Sequence, residues 1–228
     1  SEMCIRDSSY TTPLDTSAGP LSVGGIVSAL VAQIDALGEY TSTPVGNVVH
    51  IRRDDARDFN IQVKGGTTNN ALLGIKTSVN DISLLPSQCV PGVQLLVRNS
   101  VDSDADDYYV KFKPAAGDIP GTGSWEETHK PGIQTDLNPA SMPHAMIREA
   151  DGSFSVRALT LENDEALYWA PREVGDTESN PSPSFVDSTI RHMFFYNNRL
   201  GFLSSDSVVL SQPGDYFNFF VGLSLIHI

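Results

Sequence analysis

The residues best able to do chemistry are the carboxylates Asp102, Asp104, Asp106 and Asp107, the adjacent Glu126 and Glu127, the thiol of Cys89 and the histidines His50, His129, His144 and His192. An alternating Asp run can open a calcium loop, because Ca2+ is held by carboxylate and carbonyl oxygens. The helix–loop–helix version also requires Gly at the sixth loop position and a bidentate Glu at the twelfth. Counted from Asp102, those positions hold Asp107 and Lys113, so the motif fails and the run reads as an acidic, solvated turn. Glycoside hydrolysis needs two carboxyl groups facing one bond, ~5 to ~9.5 Å apart. Glu126 and Glu127 are neighbours in a segment with strand character, so their side chains point to opposite faces. Trp125 and Trp169 have rings that stack on sugars, yet aromatic residues in short strands more often pack in a core.

The remaining candidates are weaker. The four histidines stand singly, and His227 lies in the last eight residues. There is no phosphate-cradling loop with its Lys, no nucleophile elbow and no paired-His zinc motif. Cys89 precedes Val90-Pro91 with no base nearby in sequence, so it reads as a free, buried thiol. Cys4 and Cys89 make a weak case for a disulfide. Arg52, Arg53, Arg57 and Lys64 cluster on one expected hairpin, but the interleaved Asp54, Asp55 and Asp58 favour salt-bridged surface turns over a DNA-contacting patch. The residues therefore point to no catalytic group, no cofactor and no metal.

The elements that must position these residues are mostly strands. One helix is expected: Ser22 is its N-cap, Ile26, Val27, Leu30, Val31, Ile34 and Leu37 form a core-facing stripe, and Gly38 ends it. Strands follow at 40–43, 48–53 and 59–64, with turns at Gly46-Asn47 and at Asp54–Arg57. A helical turn is expected at 70–73, and further strands at 75–79, 92–98, 108–113 and 124–128, the last two paired. Beyond about Pro131 the pattern becomes all-β. His144–Arg148 and Ser153–Arg157 flank Asp151-Gly152, a two-residue hairpin signal, and 167–169 is a further short strand. The polar stretch 175–184 reads as a surface loop.

A meander then runs through Ile190–Tyr196, Arg199–Leu203 and Ser207–Leu210, punctuated by Asn197-Asn198, by Ser204–Asp206 and by Pro213–Asp215. Simple alternation puts Ile190, Phe194 and Tyr196 on one face of its first strand, with Met193 and Phe195 on the other. A strand apolar on both sides is expected to be buried on both, as in a propeller blade or a stacked sheet. Phe194, Phe195, Phe202 and Val209 are expected to carry the fold. The fold class is thus β-rich α+β: an α+β module over 10–130, then antiparallel meanders over 131–220 that form part of a β-propeller.

With 228 residues the chain can bury a substantial core. No apolar run approaches the ~20 residues of a membrane span, so a soluble chain without stable membrane insertion is expected. The net charge of −13 argues against a surface built to neutralise phosphates. An acidic wall would instead keep passing DNA from sticking; acidity that merely maintains solubility is the alternative.

The wording NPSPSF, FFYNNRLGFLS, VVLS and GDYFNF, in that order across 180–219, resembles the tail nozzle (tail tubular protein B) family of short-tailed bacteriophages. DDYYVKF (106–112), SWEET (124–128) and MPHAMIREADGSF (142–154) fit the same family in the same order, and YTTP (10–13) and GNVVHIRR (46–53) fit more loosely. Asp187 departs from a usual Gly, and His192 from a usual acidic or polar residue. SEMCIRDS and VGLSLIHI match neither the family nor their surroundings, so 1–9 and 221–228 are expected to be adapter-derived ends flanking a fragment. The resemblance implies a non-enzymatic virion protein in a six-copy homo-oligomeric ring. It implies contact with portal, adaptor and tail fibre proteins, transient passage of DNA during ejection, and assembly in the host bacterial cytoplasm. The alternative is a glycan-binding or glycan-cleaving β-protein of a viral tail or cell surface, favoured by a carboxylate pair in a cleft lined by Trp125 or Trp169. A chain ending mid-propeller would leave an apolar flank exposed on its last blade.

Overall fold

The computed structural model describes residues 22–63, 72–99, 107–162 and 167–222. The chain divides into two compact units, one through Glu126 and one from Glu127. The last residue of the strand expected at 59–64, Lys64, the first half of the helical turn at 70–73, and Asp102, Asp104 and Asp106 lie outside the described residues.

In the first unit, α1 (Val23–Asp35) begins where the Ser22 side chain accepts a hydrogen bond from the Gly25 amide at 3.1 Å. Gly38 takes φ +70 just past the end, the left-handed stop its position implied. Only Val27 of the apolar stripe is fully buried; Ile26, Leu30, Val31, Ile34 and Leu37 are half-buried against β1 (Tyr40–Val45) and β2 (Val48–Arg53). Asp35 fastens the helix end to β1 by accepting from the Ser42 amide at 2.9 Å and its hydroxyl at 2.7 Å. Gly46 turns the β1–β2 hairpin with a positive φ at the first central position, as a type II′ turn requires.

Residues 59–63 form no strand, against expectation. Phe59 instead leaves the ladder and packs edge-on to Tyr40, ring centroids 5.4 Å apart. Leu72 and Leu73 are exposed and not helical.

A five-stranded sheet completes this unit, in the order β3 (Ser78–Val79), β5 (Gln94–Val97), β6 (Tyr108–Pro114), β7 (Gly121–Thr128), β4 (Gln88–Cys89). The β6–β7 pairing is as expected, while β3 is much shorter than the five-residue strand anticipated at 75–79. Strand alternation sends Leu95, Val97, Val110 and Phe112 inward, where Val79, Cys89 and Trp125 join them.

The second unit holds a hairpin, β8 (Ala145–Arg148) with β9 (Phe154–Arg157), and a meander, β10 (Ile190–Tyr196), β11 (Arg199–Ser204) and β12 (Ser207–Leu210). The β8–β9 connection is longer than the two-residue turn expected. Gly152 donates to the Glu149 carbonyl at 3.0 Å and Glu149 to the Ser153 carbonyl at 2.9 Å, with Gly152 at φ +86, a tight turn closed by a glycine bulge. Residues 167–169 form no strand.

The meander follows its turn residues closely. Asn197 and Asn198 both take positive φ (46 and 58), the requirement of a two-residue type I′ turn. Its faces differ from expectation because of a bulge between Ile190 and His192. The extra residue shifts the alternation, so Ile190 shares a face with Met193 and Phe195 and not with Phe194 and Tyr196. Burial on both faces also fails: Met193, Phe195 and Tyr196 are 65%, 66% and 61% exposed.

The core of this unit gathers Leu137, Met142, Leu159, Trp169, Phe185, Leu200, Phe202 and Phe220. Phe202 stacks on Phe219 at 5.3 Å and meets Phe185 edge-on at 5.0 Å. Most of these side chains come from irregular segments, so the meander supplies only one wall.

Candidate functional site

No group of three or more His, Cys, Asp or Glu side chains is placed to hold a metal among the described residues. Glu126 lies exposed on β7 and pairs with Lys113 of β6 at 3.0 Å, a cross-strand ion pair in solvent. Trp125 is buried, its indole N–H donating to the Pro86 carbonyl at 2.8 Å and its ring 5.2 Å from Phe112. Trp169 is buried among Phe185, Phe202, Phe217 and Phe219, and its Nε1 finds no acceptor among the described residues. Neither indole lines a cleft where a sugar could stack.

Burial pushes the Cys89 thiol up from its ordinary value, which keeps it protonated and a poor nucleophile. Burial, aided by Arg52, lowers His50. His129 and His144 use Nδ1 on the nearby carbonyls of Lys130 and Met142, at 3.0 and 3.1 Å. His192 is exposed on β10. The basic hairpin resolves into local pairs: Arg53 meets Asp55 at 2.8 Å, Arg57 meets the same carboxylate at 3.6 Å, and Lys76 meets Asp58 at 2.8 Å. Arg53 and Arg57 are thus answered within the turn, as expected of a salt-bridged surface, while Lys64 lies outside the described residues.

What the second unit does present is exposed apolar sheet surface. On the β8–β9 hairpin the register pairs Met146 with Val156 and Arg148 with Phe154, placing all four on one face. Met146, Phe154 and Val156 are 70%, 63% and 68% exposed. The opposite face carries Ala145, which packs on the core. Alternating apolar residues around Asp151-Gly152 were the visible signal of such a face, but alternation cannot say which side turns inward. The second uncovered surface is the Met193–Phe195 flank of β10.

Sequence reading also missed a buried polar lock inside the expected surface loop. Asn180 is 3% exposed; its amide nitrogen donates to the Val174 and Val221 carbonyls at 3.0 and 3.1 Å, and its Oδ1 accepts from the Val221 amide at 2.9 Å. Val221 belongs to the final stretch expected to stand outside the fold. Arg172, equally buried, donates to the carbonyls of Asn180 and Gln134, each at 2.7 Å, and lies over the Phe220 ring at 5.1 Å. Pro183 is buried as well; the loop runs along the surface, exposed at 177–179, 181–182 and 184, and is pinned inward at Asn180 and Pro183.

The four meander residues expected to carry the fold sit differently. Phe202 is buried, Val209 packs partly buried against the same core, Phe194 half-covers the surface over Gly201, and Phe195 stands out in solvent beside Tyr216.

Among known proteins, the chain is 29% identical over 185 residues to the tail tubular protein gp12 of Escherichia phage T7, an alignment covering 81% of this chain and 22% of that protein. The chain therefore spans about a fifth of the length of the curated relative it matches. It also matches the bacteriophage nozzle protein family over residues 5–222, nearly its entire length. Buried tryptophans, a protected thiol and exposed apolar sheet faces thus belong to a phage tail protein: the chain is a member of the bacteriophage nozzle protein family.

Proposed function

We propose that this chain is a structural part of a phage tail nozzle, a homo-oligomeric ring through which DNA passes into the host. The carrying observation is the family match over residues 5–222. The arrangement of side chains supports a mechanical role: indoles and thiol are buried, Arg53, Arg57, Lys76 and Lys113 pair with nearby carboxylates, and accessible apolar surface lies on sheet faces suited to protein contacts.

In this reading, the sheets stiffen a wall and cyclic symmetry closes it into a channel. The acidic balance of −13 keeps the phosphate backbone from adhering, so DNA slides without specific binding. The ring has six copies, joins portal and adaptor proteins on one side and tail fibre proteins on the other, and resides in the virion after assembly in the host cytoplasm. The meander is part of a β-propeller blade, and its inward residues Leu200, Phe202 and Val209 hold the fold without touching substrate. No observation favours the glycan reading, because both tryptophans are enclosed. Native mass measurement of the full-length polypeptide tests the ring: six copies in one closed assembly is the expected mass, and a monomer at all concentrations would overturn it.

A further inference from the structure

Met193 and Phe195 occupy an unusual position. The register sets Met193 opposite Phe202 and Phe195 opposite Leu200, so these pairs share one face of the sheet. Phe202 and Leu200 are 3% and 5% exposed, yet their partners one strand away are 65% and 66% exposed. The bulge brings Ile190 onto the same face, where it packs against the core. Trp169, Phe185 and Phe219 roof Phe202. Over Phe195 the described ring contact is to Tyr216, itself 37% exposed. The core face therefore continues to β10 while its cover stops at β11.

β10 is also an edge strand, since the sheet order is β10-β11-β12 and no strand among the described residues pairs with its outer side. A free ladder edge beside apolar side chains at alternate positions is the surface to which a further strand adds. We infer that β10 is completed by an additional β-strand from a part of the same polypeptide outside these 228 residues, pairing along 191–196 and laying apolar side chains over Met193 and Phe195.

Two arguments select this occupant over a second copy. On that face Met193 and Phe195, 65% and 66% exposed, together present on the order of 250 Å², well short of the ~800 Å² per partner of a standard interface. A tethered strand needs less area, because tethering replaces a bimolecular encounter with an effective concentration near the millimolar range. The T7 relative has most of its length outside the aligned stretch, so such polypeptide exists in the family. The inference rests on family membership but not on ring closure.

The test compares the 228-residue chain with the full-length polypeptide, each as wild type and as Phe195→Asp. The substitution should lower the melting midpoint of the shorter chain only by the lost Tyr216 ring contact, about 1–5 °C, and lower the β10-containing transition of the full-length protein by at least about 5 °C beyond that. Amide exchange at 191–196 in the unaltered proteins gives an independent reading, expected to be at least about tenfold slower in the full-length form at concentrations below ring assembly. Equal midpoint shifts with equal exchange would overturn the inference. Protection that appears only with rising concentration would also overturn it, by assigning the edge to a second copy. Ring formation is scored separately by mass, so the two ideas can fail independently.

Discussion

Replacing Asn180 by alanine tests the polar lock directly. The change removes three hydrogen bonds, at 2.9, 3.0 and 3.1 Å, but they are not equivalent. Val221 is 61% exposed, so water can satisfy its amide and carbonyl once the side chain is gone. Val174 is 4% exposed, and its carbonyl would be left dry. One stranded buried acceptor costs about 1–3 kcal/mol, which sets the expected loss near 2 kcal/mol. For a chain of this size that is about 4–8 °C in melting temperature. In urea it is about 1 M in midpoint for a slope of ~2 kcal/mol/M. Glu178→Ala, exposed and two residues away, should stay within about 0.5 kcal/mol of wild type. Equal effects of Asn180→Ala and Glu178→Ala would refute the reasoning, because burial and not proximity is what separates them.

Other substitutions grade the meander and the pH response. Phe202→Ala should cost about 3–5 kcal/mol in chemical denaturation, whereas Phe195→Ala should lose only its contact with Tyr216, about 0.5–1.5 kcal/mol; similar losses would contradict the burial assignment. A Cβ at Gly201 would come within 2.7 Å of Phe194 Cε1, so Gly201→Ala should destabilise by about 1–3 kcal/mol and Phe194→Ala should recover much of that in a double-mutant cycle; additive losses would count against the contact. Acid should destabilise in two stages. His50 sits below its ordinary 6.5, so the unfolded chain binds the proton first and stability begins to fall as pH drops below about 6.5. The carboxyl groups of Asp55, Asp58, Asp81, Asp151 and Asp176 are held below 3.8, chiefly by the Arg57 amide, Lys76, the Ser83 and Ser153 side chains and the Ser179 amide, respectively. Their contribution is complete above 3.8 and disappears as pH falls through their lowered values, so urea midpoints should decline shallowly at first and steeply in strong acid. A profile that stays flat from pH 7 into strong acid would be inconsistent with both stages.

Local chemistry made the meander legible. Asn197-Asn198 can adopt the left-handed turn that few residues tolerate, and the flanking apolar runs have strand length. The helix was legible for the same reason, through Ser22 at one end and Gly38 at the other. The two-residue ladder β4 was not, and β3 was placed but drawn too long, because such short strands are bounded by pairing with distant neighbours. Residues 59–63 carry strand composition, yet packing of Phe59 on Tyr40 draws them off the sheet. The bulge at Ile190/His192 inverted one face assignment, since period-two reasoning has no means of anticipating an extra residue. Asn180 was hidden by its company, in a stretch of Gly, Ser, Pro and acidic residues that is solvated on both sides of it although Asn180 itself is buried. Among the candidate chemical groups, the sequence correctly marked Cys89 as a buried thiol and the Arg53–Arg57 turn as salt-bridged.

Electron microscopy of the full-length polypeptide is the most direct measurement of the proposed role. The account predicts six-fold rings with an open central channel wide enough for duplex DNA, with the 190–210 meander in the wall. Compact particles lacking a channel, or a meander detached from the wall, would contradict it.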